Sequence, residues 1–165
     1  MMIREMTFSD FEGFWHTFAD IIQAQETYAF EPTMDINQAY DLWCVTAVKS
    51  FVFEDNHITE GKQVLGTYSI RANSMGPSKH ICNCGYMVDP KARGKGIARQ
   101  LCKHSQHIAK NLGFTAMQFN SVVSTNEAAI SLWKKLGYAI IGTIPKAYRH
   151  KKLGVVDSYI MHKEL

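Results

Sequence analysis

The 165 residues are 46% hydrophobic and 20% charged, proportions of a globular protein with enough material for a sizeable core, and the length predicts one domain over residues 1–165. No apolar run approaches a membrane span and no basic-then-apolar leader precedes a cleavage site, which excludes a membrane partner and predicts a cytoplasmic protein. The net charge is only +3 but uneven: residues 1–90 hold 5 Lys/Arg against 12 Asp/Glu, whereas residues 91–165 hold 13 against 3. The basic half suits a polyanion and the acidic half a cationic amine. The basic residues lack the interleaved aromatics of nucleic-acid recognition motifs, so no nucleic-acid partner is expected.

Ile3 to Met6 reads as a short strand. Ser9 and Glu12 stand at capping-box spacing, and Phe11, Phe14, Trp15, Phe18, Ile21 and Ile22 recur at the helical period. Pro32 makes residues 26–34 a loop, after which Asp35 to about Val48 reads as a second helix. Ser50–Glu54 and Val64–Arg71 are predicted strands joined by a polar turn around Asn56–Lys62. Another turn, Asn73–Lys79, leads to a third strand, His80–Val88. A helix over Gly96–Asn111 ends at Gly113, a residue suited to helix termination. Ala116–Val123 is a strand, Asn126–Leu136 a helix stopped by Gly137, and Tyr138–Ile144 and Val155–Met161 two last strands. The order β-α-α-β-β-β-α-β-α-β-β implies an α/β (α+β) fold, with one mixed, mostly antiparallel sheet and helices on both faces.

The strand–turn–helix junction is the most informative stretch. Arg93-Gly94-Lys95-Gly96-Ile97-Ala98 follows an apolar strand and opens a long helix. A helix start offers unpaired N–H groups and a partial positive charge, and two glycines let a large anion reach the backbone. The pattern is not a Walker loop, which needs Gly-x-x-x-x-Gly-Lys-Ser/Thr. Nor is it a dinucleotide fingerprint, because Arg99 stands where the third glycine belongs. Cys44, Cys82, Cys84 and Cys102 include no Cys-x-x-Cys pair and are expected as free thiols. His80, Cys82 and Cys84 would share a strand face, but no second ligand cluster accompanies them, so no metal is expected.

Arg93-x-x-Gly96-x-Ala98 resembles the acetyl-CoA site of the GNAT N-acetyltransferase superfamily. Gly85-Tyr86-Met87-Val88-Asp89-Pro90 upstream and the Asn126-to-Tyr138 block downstream are similar to flanking segments of that family. The likeness is clear from about His80 to Ile144 and faint over the first 60 residues. It implies the GNAT fold, which has the element order above, and acetyl-CoA as co-substrate. It also implies acetyl transfer to an amine that must be neutral to attack, with a donor for the developing oxyanion and a stabilised leaving thiolate.

By that resemblance, main-chain groups of Met87 and Val88 line the reacting carbonyl and the pantetheine arm. Arg93, Gly94, Lys95, Gly96, Ile97 and Ala98 bind the pyrophosphate, with charge added by Lys95 and Arg99, and Asn126 touches the cofactor arm or caps its helix. Trp133 stands where many members have a tyrosine acid; an indole N–H is a donor without useful acidity, so Trp133 walls the thioester pocket instead. Cys82-Asn83-Cys84-Gly85-Tyr86, Phe119-Asn120-Ser121 and Thr125-Asn126 are similar to segments of fungal N-acetyltransferases of proline analogues. That likeness implies that Asn83, Asn120 and Asn126 line the acceptor and cofactor site; together with Val88 from the wider GNAT resemblance, Asn83 and Asn120 are the expected catalytic residues. The Tyr28-x-Phe30-Glu31-Pro32 loop and Gly154–Tyr159 resemble amino-acid N-acyltransferases of the phosphinothricin type.

Glu26, Glu31, His80 and Asp157 are proton acceptors by type. The expected acceptor is a small amine or amino acid. The alternatives are a protein N-terminus or lysine, or a non-catalytic CoA-binding module. The oligomeric state is open, a homodimer included.

Overall fold

The computed structural model describes residues 2–55 and 63–165, so the turn expected around residues 56–62 lies outside the described residues. The first strand, β1 (Met2–Glu5), runs into helix α1 (Phe8–Ala24). This helix starts earlier than its sequence suggests: the capping box is Thr7 with Asp10, not Ser9 with Glu12. Arg4 decides the register. It grips both oxygens of Asp10 at 2.7 Å and reaches buried Glu54 on the other side, which fixes Asp10 beside the Thr7 main chain. The stripe Phe11, Phe14, Phe18 and Ile22 is buried as expected, while Trp15 and Ile21 stay partly exposed.

The second helix is shorter than predicted. Asp35 caps α2 (Ile36–Tyr40) in a capping box with Gln38, and the chain then widens into a π-helical turn, Asp41–Val45. The wide turn ends with Thr46 N–H on the Asp41 carbonyl, while the Leu42 carbonyl accepts from the Thr46 hydroxyl and from Arg71. Single π turns are frequent at functional sites. Here the turn drives Trp43 into the sheet, where its indole N–H donates to Thr67 Oγ1 at 3.0 Å.

The remaining elements are β2 (Lys49–Asp55), β3 (Gln63–Ala72), β4 (Ile81–Val88), α3 (Ile97–Asn111), β5 (Ala116–Val123), α4 (Glu127–Lys135), β6 (Ala139–His150) and β7 (Gly154–Glu164). They form one seven-stranded sheet in the order β1-β2-β3-β4-β5-β7-β6, antiparallel except where β4 meets β5. Helix α3 makes that parallel crossover. Helices cover both faces. Phe11, Phe14, Phe18, Ile22 and Trp43 pack with Met87 on one side; Ile97, Leu101, Cys102, Trp133 and Tyr138 pack with Tyr68, Cys82 and Phe119 on the other. Among the described residues no helix is long and apolar enough to cross a membrane.

The last two strands outrun their predicted lengths. Pro145 argues for an early stop, but β6 is an edge strand, where a missing donor is tolerated. The ladder shifts register between Ile144 and Tyr148, and the irregular stretch is held by Lys146 N–H on Asp157 Oδ1. This extension serves the site. Tyr148 donates to the Tyr28 carbonyl and Lys151 N–H to the Gln25 carbonyl, pinning the loop that follows α1.

Candidate acetyl-transfer site

The sheet splits between β4 and β5. The two strands pair only from Ile81 to Asn83 against Ala116 to Gln118, then part. Two features set the split. Asn83 Nδ2 donates to the Gln118 carbonyl at 2.9 Å, a side-chain rung at the end of the ladder. Beyond it, a bulge between Phe119 and Val122 places one extra residue in β5 opposite β7. The resulting cleft, about 850 Å³, runs along β4 from the turn before α3 toward Asn83 and its neighbour Arg71 on β3, and residues of the loop after α1 also line it.

Main-chain alternation decides which groups face the gap. Asn73 N–H on the Ile81 carbonyl and Asp89 N–H on the Leu65 carbonyl place the odd-numbered residues of β4 in the β3 ladder. Thr115 N–H on the His80 carbonyl turns the even-numbered ones toward β5. Tyr86 and Val88 therefore present main-chain groups to the cleft. Met87, expected to share this role with Val88, turns its main chain to β3 and buries its side chain against α1. The difference is one of strand parity, which a resemblance read over two adjacent residues does not resolve.

At the other wall, Gly94 and Gly96 adopt φ of +79° and +73°, a region that L side chains rarely enter. A Cβ built on either glycine meets nothing within 4 Å, so the space beside the turn is open to an anion. Gly96 caps α3 without a side-chain hydrogen bond. The first intrahelical donor is Gln100 N–H to the Gly96 carbonyl, which leaves the N–H groups of Ile97, Ala98 and Arg99 for a ligand. Arg93, Gly94, Gly96, Ile97, Ala98 and Arg99 all line the cleft. Lys95 does not: between two left-handed residues its side chain is carried out to solvent, and Arg99 supplies the charge at that place.

Asn126 caps α4 through Ala129 N–H and also lines the cleft. Trp133 lines it too, 8% exposed, with Tyr86 and Phe119 rings at 5.0 and 5.1 Å. Asn120 is exposed and already engaged, accepting from Gln118 and donating to Asn73. Asn83 keeps its Oδ1 free of hydrogen bonds among the described residues.

Away from the glycine turn, the cleft is lined by residues that sequence reasoning missed or left unplaced. Tyr28 O–H donates to the Tyr86 carbonyl at 2.7 Å, and burial pushes its phenol pKa up, so it remains a donor. Gly85 makes room for it: a Cβ there would stand 3.1 Å from the Trp43 ring and 3.2 Å from the Tyr28 oxygen. His150 lines the cleft as well, with its Nδ1 accepting from Lys152 and Leu153 N–H. Arg71 lines it too.

Of the four proton acceptors read by type, only Glu26 lines the cleft. Its carboxyl is held below the usual range by Lys152, which ion-pairs with it. Glu31 and His80 are exposed outside the cleft, with His80 ahead of β4 rather than in it, and Asp157 is committed to Lys146 N–H. The acidic N-terminal half is therefore not an acidic cleft: Glu26 is the only carboxylate among the lining residues described. The four thiols are all free, and Cys82, Cys84 and Cys102 are buried.

Comparison with known proteins fits this geometry. The model of the acetyltransferase (GNAT) family matches residues 15–138. The N-acetyltransferase aca1 of Schizosaccharomyces pombe is 32% identical over 157 residues, 94% of this chain and 67% of that protein. The solved structure of a GCN5-related N-acetyltransferase from Kribbella flavida has 36% identity and a TM-score of 0.91, covering 99% of this chain and 97% of its own. Salmonella typhimurium yncA, solved with its cofactor acetyl-CoA, shares the fold at 22% identity and a TM-score of 0.83, over 100% of this chain and 94% of its own. The family match, the relative and the solved structures agree: the chain belongs to the GNAT acetyltransferase family, whose members carry acetyl groups from acetyl-CoA to amines.

Proposed function

We propose that residues 1–165 form one catalytic unit, working in the cytoplasm, that acetylates the amine of a small molecule, an amino acid or an amino-acid analogue. The observation that carries this reading is the continuity of the cleft. It runs from the N–H groups of α3, along the open edge of β4, to an end lined by side chains from four separate segments: Tyr28, Trp43, Arg71 and Asn83. A peptide acceptor needs an open groove, whereas Tyr148 and Lys151 hold the loop after α1 down over this end.

Acetyl-CoA, when bound, would supply the thioester carbon for direct attack by a neutral amine: the C–N bond forms, the C–S bond breaks with CoA leaving as thiolate, and the surplus amine proton passes to water or to that thiolate. Gly94, Gly96 and the N–H groups of Ile97, Ala98 and Arg99 would hold its pyrophosphate, with Arg93 and Arg99 adding charge. Val88 N–H, at the open edge of β4, is placed to donate to a developing oxyanion. Asn83 Oδ1 accepts a hydrogen bond from the incoming amine and orients it; an amide cannot take its proton. Trp133 and Phe119 exclude water from the same stretch.

The test is a panel of acceptors scored by thiol release from acetyl-CoA: amino acids, proline analogues, phosphinothricin, methionine sulfone, simple amines and peptides with free N-termini. The expected outcome is release with amino acids or their analogues. Release with peptides alone would replace this reading by a protein acetyltransferase, and no release with any amine would leave a CoA-binding module.

A further inference from the structure

Among the described residues, Arg71 is the one charged side chain lining the cleft that neither the glycine turn nor an ion pair explains. It lies on β3 directly opposite Asn83 in the β3–β4 ladder, so the two side chains share the face covered by α1 and the π-helical turn. It is half-buried, and desolvation works against its charge. The ionisable groups beside it are the Cys84 thiol and the Tyr28 phenol, both kept neutral by burial. Among the described residues it forms no salt bridge.

Its position is nevertheless fixed. Nη2 donates to the Leu42 carbonyl at 2.8 Å and to Ser69 Oγ at 3.0 Å, and Nη1 reaches Thr46 Oγ1 at 3.4 Å. Leu42 and Thr46 belong to the π-helical turn and its cap, so that turn has a second effect besides placing Trp43. These bonds account for three of the five N–H donors of a guanidinium and leave two. A half-buried cation held by neutral oxygens, with spare donors at a cleft, lacks a counter-charge that a ligand can bring.

We propose that Arg71 binds the carboxylate of the acceptor, making the substrate an α-amino or α-imino acid rather than a simple amine. This rests on the reading of the cleft as the acceptor site. The carboxylate takes the place of the missing counter-ion. A group bonded to the same Cα, the amine, then falls toward Asn83, one strand nearer the open edge of β4. A peptide N-terminus carries no carboxylate at that distance, so Arg71 also selects against proteins.

The experiment compares each accepted amino acid with its own carboxamide, using wild type, Arg71→Met and Arg71→Lys. Wild type is expected to favour the acid by at least about tenfold in kcat/KM, the range of a charge-assisted hydrogen bond. Arg71→Met is expected to lower the acid-to-amide ratio about 10- to 100-fold, and Arg71→Lys to lower it less, since a point charge replaces a fork. Binding gives a second readout: calorimetric affinity of CoA-saturated protein for the N-acetylated amino acid falls in Arg71→Met by a similar factor. A ratio unchanged in Arg71→Met, or wild type indifferent to the carboxylate, overturns the assignment of Arg71 while the acetyltransferase reading stands. Thiol release with peptides and with no amino acid overturns both. Should Arg71→Met lose CoA binding and so fail to fold, the wild-type ratio and Arg71→Lys decide alone.

Discussion

The two ends of the cleft are built from different material. The end proposed to hold acetyl-CoA is mostly main chain: two left-handed glycines, the N–H groups that open α3 and the edge of β4 that has parted from β5. The end proposed for the acceptor is side chain, with Tyr28 from a loop, Trp43 from a π-helical turn, Arg71 from β3 and Asn83 from β4. Main-chain sites tolerate almost any side chain but few changes of backbone conformation. Side-chain sites behave in the opposite way. One fold can therefore keep its donor while its acceptor varies.

The sharpest way to break this contrast is Gly96→Glu. The substitution forces a side chain into φ +73° and places a carboxylate where the anion would lie. Affinity for CoA by calorimetry should fall by more than about 100-fold, and thiol release should vanish with it. Retained affinity would remove the donor end from this turn altogether.

Asn83→Ala tests the acceptor end. It deletes the free Oδ1 and the bond to the Gln118 carbonyl that marks the parting of β4 and β5. The KM of the acceptor should rise about tenfold, with CoA affinity held within about threefold. A loss shared equally by donor and acceptor would mean that Asn83 serves the split itself rather than the amine.

The same division explains what the sequence makes legible. Main-chain sites leave a local trace, because φ of +79° and +73° six and eight residues after a strand strongly favours glycine, so Arg93 to Ala98 are readable as a string. Element order is readable for the same reason: Gly113 and Gly137, both at positive φ, follow α3 and α4 where their periodicity stops. The acceptor end leaves no such string. Arg71 and Asn83 are 12 positions apart and meet only through strand register. In the sequence Arg71 is only the penultimate residue of the strand, and nothing in the string ties it to Asn83. The π-helical turn that holds Arg71 has no composition of its own, and its contact with Thr67 through Trp43 joins residues 24 positions apart. The extension of β6 past Pro145 depends on its place at the sheet edge, a fact of topology.

Trp133 lies between the two ends, and its replacement sharpens the boundary. If it only walls the cleft, Trp133→Phe should lower kcat less than about fivefold, because Tyr86 and Phe119 still enclose the space. A loss of about 100-fold or more, the range of a lost proton donor, would make the indole N–H a participant at the departing sulfur. Single-turnover measurements separate that outcome from slowed product release.

The smallest expected effect on catalysis comes from the scaffold under the acceptor end. Asp10 does not line the cleft; it caps α1 and binds Arg4 through both oxygens. Arg4 holds the Asp10 pKa down at about 2, from an ordinary 3.8. A depressed carboxyl stabilises the fold above its unfolded pKa, and that contribution fades as pH falls from the ordinary value through about 2. Asp10→Asn should therefore cost about 1–2 kcal/mol of stability at pH 7, after allowance for solvent screening and for the amide still capping weakly. The gap from wild type should narrow between roughly pH 4 and pH 2. Denaturant titrations across that range read the gap directly, while kcat and acceptor KM at pH 7 stay within about twofold. A gap that stays constant with pH would assign the effect to the lost cap rather than to the charge. A shift in acceptor KM would show that the seat of α1 governs the loop over Arg71, and the acceptor end would then depend on its scaffold more than its side chains alone suggest.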